Sequence, residues 1–221
     1  MAKFITAEEA AKLIPDGATV GLAGMGLSGW PEEISIAIRD SFAETGHPCN
    51  LNLKQGCAMG DWKTRGVTHL GEAGPGLVTH WSGAHIGSAF ALNDLVLQNK
   101  IHCHCLPQGV IVNLWREIAA GRPGLITKVG LGTFIDPRID GGKMNEITMS
   151  APDINEVVTI GGEEYMRYKP IPLDYCIIRG TYVDEYGNLT TDEEAMQLEV
   201  FSAVMACKKF GGKVLAQAKY K

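Results

Sequence analysis

The chain has 221 residues, 45% hydrophobic and 20% charged, a composition of globular proteins that excludes disordered and collagen-like chains. Its 20 Lys and Arg stand against 25 Asp and Glu, a net charge of −5, so no basic face marks nucleic acid as a partner. There is no run of 18 apolar residues, and no membrane partner is expected.

At roughly 150 residues per domain the length suits one domain, residues 1–221. A chain of this size buries about 70% of its unfolded surface, enough for a core without disulfides or metal. The opening MAKFITAEEAAKLI is amphipathic and carries two glutamates, unlike a secretory signal or an acid-poor transit peptide. Cys49, Cys57, Cys103, Cys105, Cys176 and Cys207 lie mostly in apolar segments, where a free thiol packs as a small hydrophobe. A reduced, cytoplasmic protein is expected.

In chain order, residues 7–14 suit a short helix with Ala10, Ala11, Leu13 and Ile14 inward, and residues 18–24 (ATVGLAG) a strand. Pro31 is expected at the first position of the next helix, where its missing N–H costs nothing. Ile34, Ala37, Ile38 and Phe42 give that helix one buried face, and Glu32 and Glu33 complement its dipole. Residues 51–57 and 77–83 read as strands around a glycine-broken stretch, 91–98 as a helix, and 101–107 as a strand stopped by proline. A helix over 110–121 and a short apolar run at 128–132 follow. Residues 155–168, with Gly161-Gly162 at the middle, predict a hairpin. A buried strand (173–180), a turn (184–188), a helix (195–210) and a strand (213–220) complete the chain. Apolar strands alternating with helices imply an α/β fold: an open, mostly parallel sheet with helices on both faces and a β-hairpin excursion near residues 140–170.

Gly24-Met25-Gly26-Leu27-Ser28-Gly29 is a literal GxGxxG after a strand. A dinucleotide site would need an acid at the end of the next strand for the ribose, and Lys54-Gln55 stand there instead. A glycine-lined turn for another ligand, or a turn with no ligand, fits the residues better. His102-Cys103-His104-Cys105 invites a metal reading, but on a strand the histidines share one face and the cysteines the other. Zinc would have to recruit its remaining ligands from His80, His85 or Cys57, so no metal site is expected. Ser28 lacks the GxSxG spacing of a hydrolase nucleophile. Leu106-Pro107-Gln108-Gly109 ends a strand where open α/β sheets bind ligands, and a Gln there offers a donor and an acceptor.

Taken together and in order, these features resemble the family I coenzyme A transferases. DGATVGLAGMGLSGWPEEI (16–34) is similar to that family's strand, glycine loop and Gly-x-Pro helix start, and LPQGVI (106–111) to its Pro-Gln-Gly turn. AAGRPGLITKVGLGTFIDP (119–137) resembles its glycine-rich stretch, and DYCIIRGTYVDEYGNLT (174–190) the strand and Asp-x-x-Gly-Asn-Leu turn late in its first domain. The second and third blocks are most similar to the fused acetate and propionate type. Where the family loop usually reads Gly-Gly-Phe, Ala23-Gly24-Met25 stands here, a change expected to reshape an acyl pocket rather than the backbone.

The resemblance implies a first-half, α-type domain whose partner is a second-half, β-type domain or subunit carrying the catalytic glutamate. No catalytic residue is then expected in this chain, which stops at KVLAQAKYK where the family's first half normally continues a little further, as a truncated portion of a fused enzyme would. The substrates implied are an acyl-CoA and a short-chain carboxylate, with coenzyme A as substrate and no cofactor. Gly24, Met25, Gly26, Gly29, Pro107, Gln108 and Gly109 are the expected substrate-binding residues. Glu32, Glu33 and the Asp192-Glu193-Glu194 triplet are explained as acids at helix starts rather than nucleophiles. A half-site at a domain border leaves an apolar face uncovered, so an oligomer is expected. Two other readings remain open: a non-catalytic α/β ligand-binding domain, and an NAD(P) oxidoreductase domain resting on GxGxxG alone.

Overall fold

The computed structural model describes residues 2–221. The chain begins α1 (Ala7–Lys12), β1 (Thr19–Leu22), α2 (Glu32–Thr45), β2 (Leu51–Gln55), α3 (Thr68–Glu72) and β3 (Val78–Gly83). It continues α4 (Phe90–Leu97), β4 (His102–Cys105), α5 (Gln108–Ala119), β5 (Leu125–Thr127) and α6 (Glu146–Met149). It ends β6 (Asn155–Ile160), β7 (Glu163–Tyr168), β8 (Tyr175–Tyr182), α7 (Val200–Lys209) and β9 (Lys213–Tyr220).

Six strands form one sheet in the order β4-β3-β2-β1-β8-β9, with every pairing parallel. From β1 the chain steps outward through β2, β3 and β4, then returns to place β8 and β9 on the opposite side. The order reverses between β1 and β8, the kind of point where open α/β sheets hold ligands beyond their carboxyl ends. The excursion is a three-stranded antiparallel sheet, β5-β7-β6, whose β6–β7 hairpin turns on Gly161 and Gly162, both at positive φ.

Alternation along the strands sorts side chains to two faces. Val20, Leu22, Leu51, Leu53, Trp81 and Cys103 meet α1–α4 in one core with Ile14, Ile38, Leu70 and Leu92. On the opposite face Cys176 and Ile178 of β8 pack under α5 and α7, with Leu114, Trp115, Ile118, Ala203 and Cys207 buried there. The expected parallel sheet, covered on both faces and carrying a hairpin, is the observed fold.

Local chemistry sets the helix ends. Thr6 and Glu9 form a reciprocal capping box at α1, and Gly46 closes α2 in a left-handed conformation. Pro31 is the residue that flanks α2 rather than its first helical residue, and Leu13 turns outward, 45% exposed, once α1 has ended. The helix expected from residue 195 starts at Val200, because Leu198 sits at a φ of 46° and breaks any helix before it. The third strand of the small sheet is 125–127, just ahead of the apolar run at 128–132. The short helices α3 and α6, inside stretches with no helical periodicity, are additions to the sequence reading. Among the described residues no helix is long and apolar enough to cross a membrane.

Candidate functional site

The β1 loop occupies the switch point. Gly24 has a φ of 144°, and a Cβ on it would lie 2.3 Å from Met59 Sδ and 2.6 Å from the Ser28 carbonyl oxygen, so only glycine fits. Reciprocal hydrogen bonds close the loop: Met25 N–H donates to Ser28 O at 3.2 Å and Ser28 N–H to Met25 O at 3.0 Å. Gly26 and Gly29 also have positive φ. Within this loop the N–H groups of Gly26, Leu27 and Gly29 have no acceptor among the described residues. The N–H of Gly24 does have one, the side chain of Glu199, at 3.3 Å.

Pro107 flanks the start of α5 and Gln108 and Gly109 are its first residues, with no side chain capping them. Their N–H groups are therefore the unpaired donors that every helix start leaves, reinforced by the helix dipole. A Cβ added to Gly109 would meet nothing within 4 Å. Although β3 and β2 separate β4 from β1, the Gln108 side-chain amide donates to Met25 Sδ at 3.8 Å. The structure thus brings the glycine loop and the Pro-Gln-Gly turn together through Met25 and Gln108, with both side chains reaching solvent. Gly24 is instead an interior member of the loop.

Of the acids near these elements, Glu32 is committed through its carboxylate. Glu32 bonds His69 Nε2 at 2.8 Å and accepts from Gly66 N–H at 3.1 Å. At Glu33 it is the backbone that is engaged, donating to Gln217 at 3.0 Å. The 192–194 triplet does not cap a helix, since α7 begins later. Glu193 pairs with Lys219 at 2.7 Å and Glu194 with Arg179 at 3.1 Å.

Glu199 was not among the residues singled out from sequence. It is 4% exposed, immediately precedes α7, and burial raises its carboxyl above the usual range. One signal did point to it: at helical spacing Glu199 falls in line with Ala203, Ala206 and Cys207, all fully buried.

The His-Cys-His-Cys strand behaves as its alternation requires. His102 and His104 share a face with His80, Ser82 and Lys54, while Cys103 is buried on the other, its thiol pushed up to about 12 by burial. His80 Nε2 and His104 Nδ1 are hydrogen-bonded at 2.8 Å, and Lys54 Nζ donates to Ser82 Oγ at 2.7 Å. Burial lowers Lys54 to about 7 and His104 to about 4. His102 Nδ1 and His104 Nε2 have no partner among the described residues. Among those residues no group of three or more His, Cys, Asp or Glu is placed to hold a metal ion. The dinucleotide reading lacks its acid in space as well: Lys54 is buried, and Gln55 accepts from Trp81 Nε1 at 2.5 Å.

Fold and site define an α/β protein whose glycine loop and helix start supply unpaired backbone donors at the switch point of a parallel sheet. Residues 4–210 match the family model described as Coenzyme A transferase, and the chain belongs to that family. It is 63% identical over 220 residues to the caffeate CoA-transferase of Acetobacterium woodii, covering 100% of this chain and 41% of that protein. It is 37% identical over 215 residues to the acetate CoA-transferase YdiF of Escherichia coli O157:H7, covering 96% of this chain and 40% of that one. The crystal structure of the same E. coli acyl-CoA transferase, as a thioester complex with CoA, superimposes with a TM-score of 0.92 at 35% identity. That match covers 98% of this chain and 44% of the other. The chain therefore spans about two fifths of the length of the curated relatives it matches.

Proposed function

We propose that this chain is the α-type half of an acyl-CoA:carboxylate CoA-transferase, with the nucleophilic glutamate supplied by a second half. The observation that carries the reading is the meeting of Met25 and Gln108 beside unpaired N–H groups on Gly26, Leu27, Gly29, Gln108 and Gly109. The nearby acids Glu32 and Glu199 are already engaged, which leaves this wall suited to stabilising charge rather than to nucleophilic attack.

In the reaction the glutamate carboxylate attacks the thioester carbonyl, the C–S bond breaks, and CoA leaves as thiolate with an acyl-glutamyl anhydride formed. The thiolate then attacks the glutamyl carbonyl and the first carboxylate departs, giving a glutamyl-CoA thioester. The second carboxylate reverses both steps. Each attack places negative charge on a carbonyl oxygen, and a carboxylate is a modest nucleophile, so positioning and oxyanion donors dominate. One such donor is worth about 3 kcal/mol. Backbone N–H groups held by a glycine loop and a helix start provide them without reorganisation.

The substrate assignment rests on similarity. The sequence blocks favour acetate and propionate, whereas 63% identity to a caffeate enzyme against 37% to an acetate enzyme favours a hydroxycinnamate among the acceptors. Met25 at the loop tip, unbranched and adaptable, suits a planar acyl group as well as a small one. The test is to combine the chain with its second half and follow CoA transfer from acetyl-CoA to caffeate, propionate and acetate. Transfer by the combination and not by this chain alone is the expected result. Transfer by this chain alone removes the two-half account, and an inactive, correctly assembled pair turns the chain into a ligand-binding domain.

A further inference from the structure

A buried carboxyl with no cation beside it is an expensive thing to keep in a fold. Glu199 is such a group. It is 4% exposed, no salt bridge reaches it among the described residues, and the one hydrogen bond to its carboxyl comes from the Gly24 peptide. The carboxyl also occupies a gap made for it. A Cβ on Gly56, at the carboxyl end of β2, would lie 2.7 Å from Glu199 Oε1, with Val112 of α5 closing the same space at 3.5 Å. Gly56 at the end of β2 thus leaves room for one side chain, which arrives from the start of α7 and meets the Gly24 N–H at the end of β1.

We infer that Glu199 is a positioning residue for the glycine loop, seated against Gly56 and holding the Gly24 peptide so that the neighbouring free N–H groups keep a fixed place. The inference rests on the function proposed above. It also sorts the loop donors: Gly24 N–H is used internally, and Gly26 and Leu27, which are not buried, carry the external role. Holding the loop from α7, beyond β8, ties both sides of the switch point to one another, since β1 and β8 are neighbours in the sheet.

The experiment uses the complete transferase with Glu199→Leu, Glu199→Gln and Gly56→Ala, read by kcat, KM and amide hydrogen exchange of residues 23–29. Glu199→Leu removes the acceptor, and loss of loop position should lower kcat about 10- to 100-fold with little change in KM for acyl-CoA. Glu199→Gln retains an acceptor oxygen and should restore most of that loss. Gly56→Ala leaves the carboxyl in the chain but pushes it from its seat, and should reproduce the Leu variant in kcat and in faster exchange at Gly24. This variant keeps the question open to test if the Leu variant does not fold. A kcat within twofold of wild type for both Glu199→Leu and Gly56→Ala overturns the inference, as does unchanged exchange at Gly24. Should wild type transfer no CoA, the functional reading falls by that result alone, and the exchange measurement still decides whether Glu199 holds the loop.

Discussion

Replacing Lys54 by methionine should make the protein more stable at neutral pH and leave it little changed in alkali. The amine is 4% exposed, its partner is the Ser82 hydroxyl, and burial lowers it from 10.5 to about 7. The unfolded chain therefore holds a proton that the folded chain sheds, and between those two values stability rises with pH. At about 1.4 kcal/mol per tenfold, the penalty on the fold is about 4 kcal/mol at pH 7 and under about 1 kcal/mol at pH 10. Methionine has similar length and no charge, and it gives up one hydrogen bond to Ser82 worth about 1 kcal/mol. The net gain is about 3 kcal/mol at pH 7 and about zero at pH 10. With a urea slope of about 2 kcal/mol/M, the unfolding midpoint should move up by about 1.5 M at pH 7. Urea titrations of wild type and Lys54→Met at both pH values give the answer. A variant less stable at pH 7, or a gain equal at both pH values, refutes the reasoning, because either result means the ammonium is not the penalised species.

Three other outcomes follow from the same structure. Burial first, then the charges of Lys54 and Lys143, holds His104 near 4, so stability present above the unfolded histidine value of 6.5 should be lost as pH falls from 6.5 toward 4. Melting temperatures across that window check it, and His104→Leu should flatten the fall. In the complete enzyme, Gln108→Leu, which removes the amide that reaches Met25, and Gly26→Val should each lower turnover more than about tenfold, through displacement of the loop's oxyanion donors. For Gly26 the cause is backbone strain at a φ of 60°, since a Cβ there meets nothing within 4 Å, and intact turnover in both variants removes the wall from the site. Phe201 is 77% exposed and Met205 43%, one helical turn apart on α7 beside the open edge strand β9. The isolated chain should self-associate and Phe201→Lys with Met205→Lys should reduce it; sedimentation finding a monodisperse wild-type monomer counts against the uncovered face.

The parallel core was legible because its strands are short apolar runs and its helices repeat at 3.6 residues, signals that survive without tertiary context. The start of α7 was not, because Leu198 at a φ of 46° bars a helix before it and the apolar pattern does not record a backbone angle; Leu13 was not, because α1 ends one residue before it. The two halves of the candidate site were readable as motifs, Gly24 to Gly29 and Pro107 to Gly109. Their meeting was not, since 83 residues separate Met25 from Gln108 and only the path of the chain from β4 into α5 joins them. Glu32 illustrates the opposite case. Its dipole explanation is sound at the start of α2, yet its tie to His69 and Gly66 is a long-range fact of packing. Lys54 was read as a missing ribose acid, when its greater significance is as a buried amine.

The His80–His104 contact has a consequence for where protons reside in this molecule. With both rings neutral near pH 7, the short line between Nε2 and Nδ1 holds a single hydrogen, so the tautomer of one imidazole dictates that of the other. Moving that hydrogen from His80 Nε2 to His104 Nδ1 would oblige His80 to take one up at Nδ1 and His104 to give one up from Nε2, so the two rings change tautomer together. Nitrogen-15 shifts of the two rings should accordingly report matched, never independent, states.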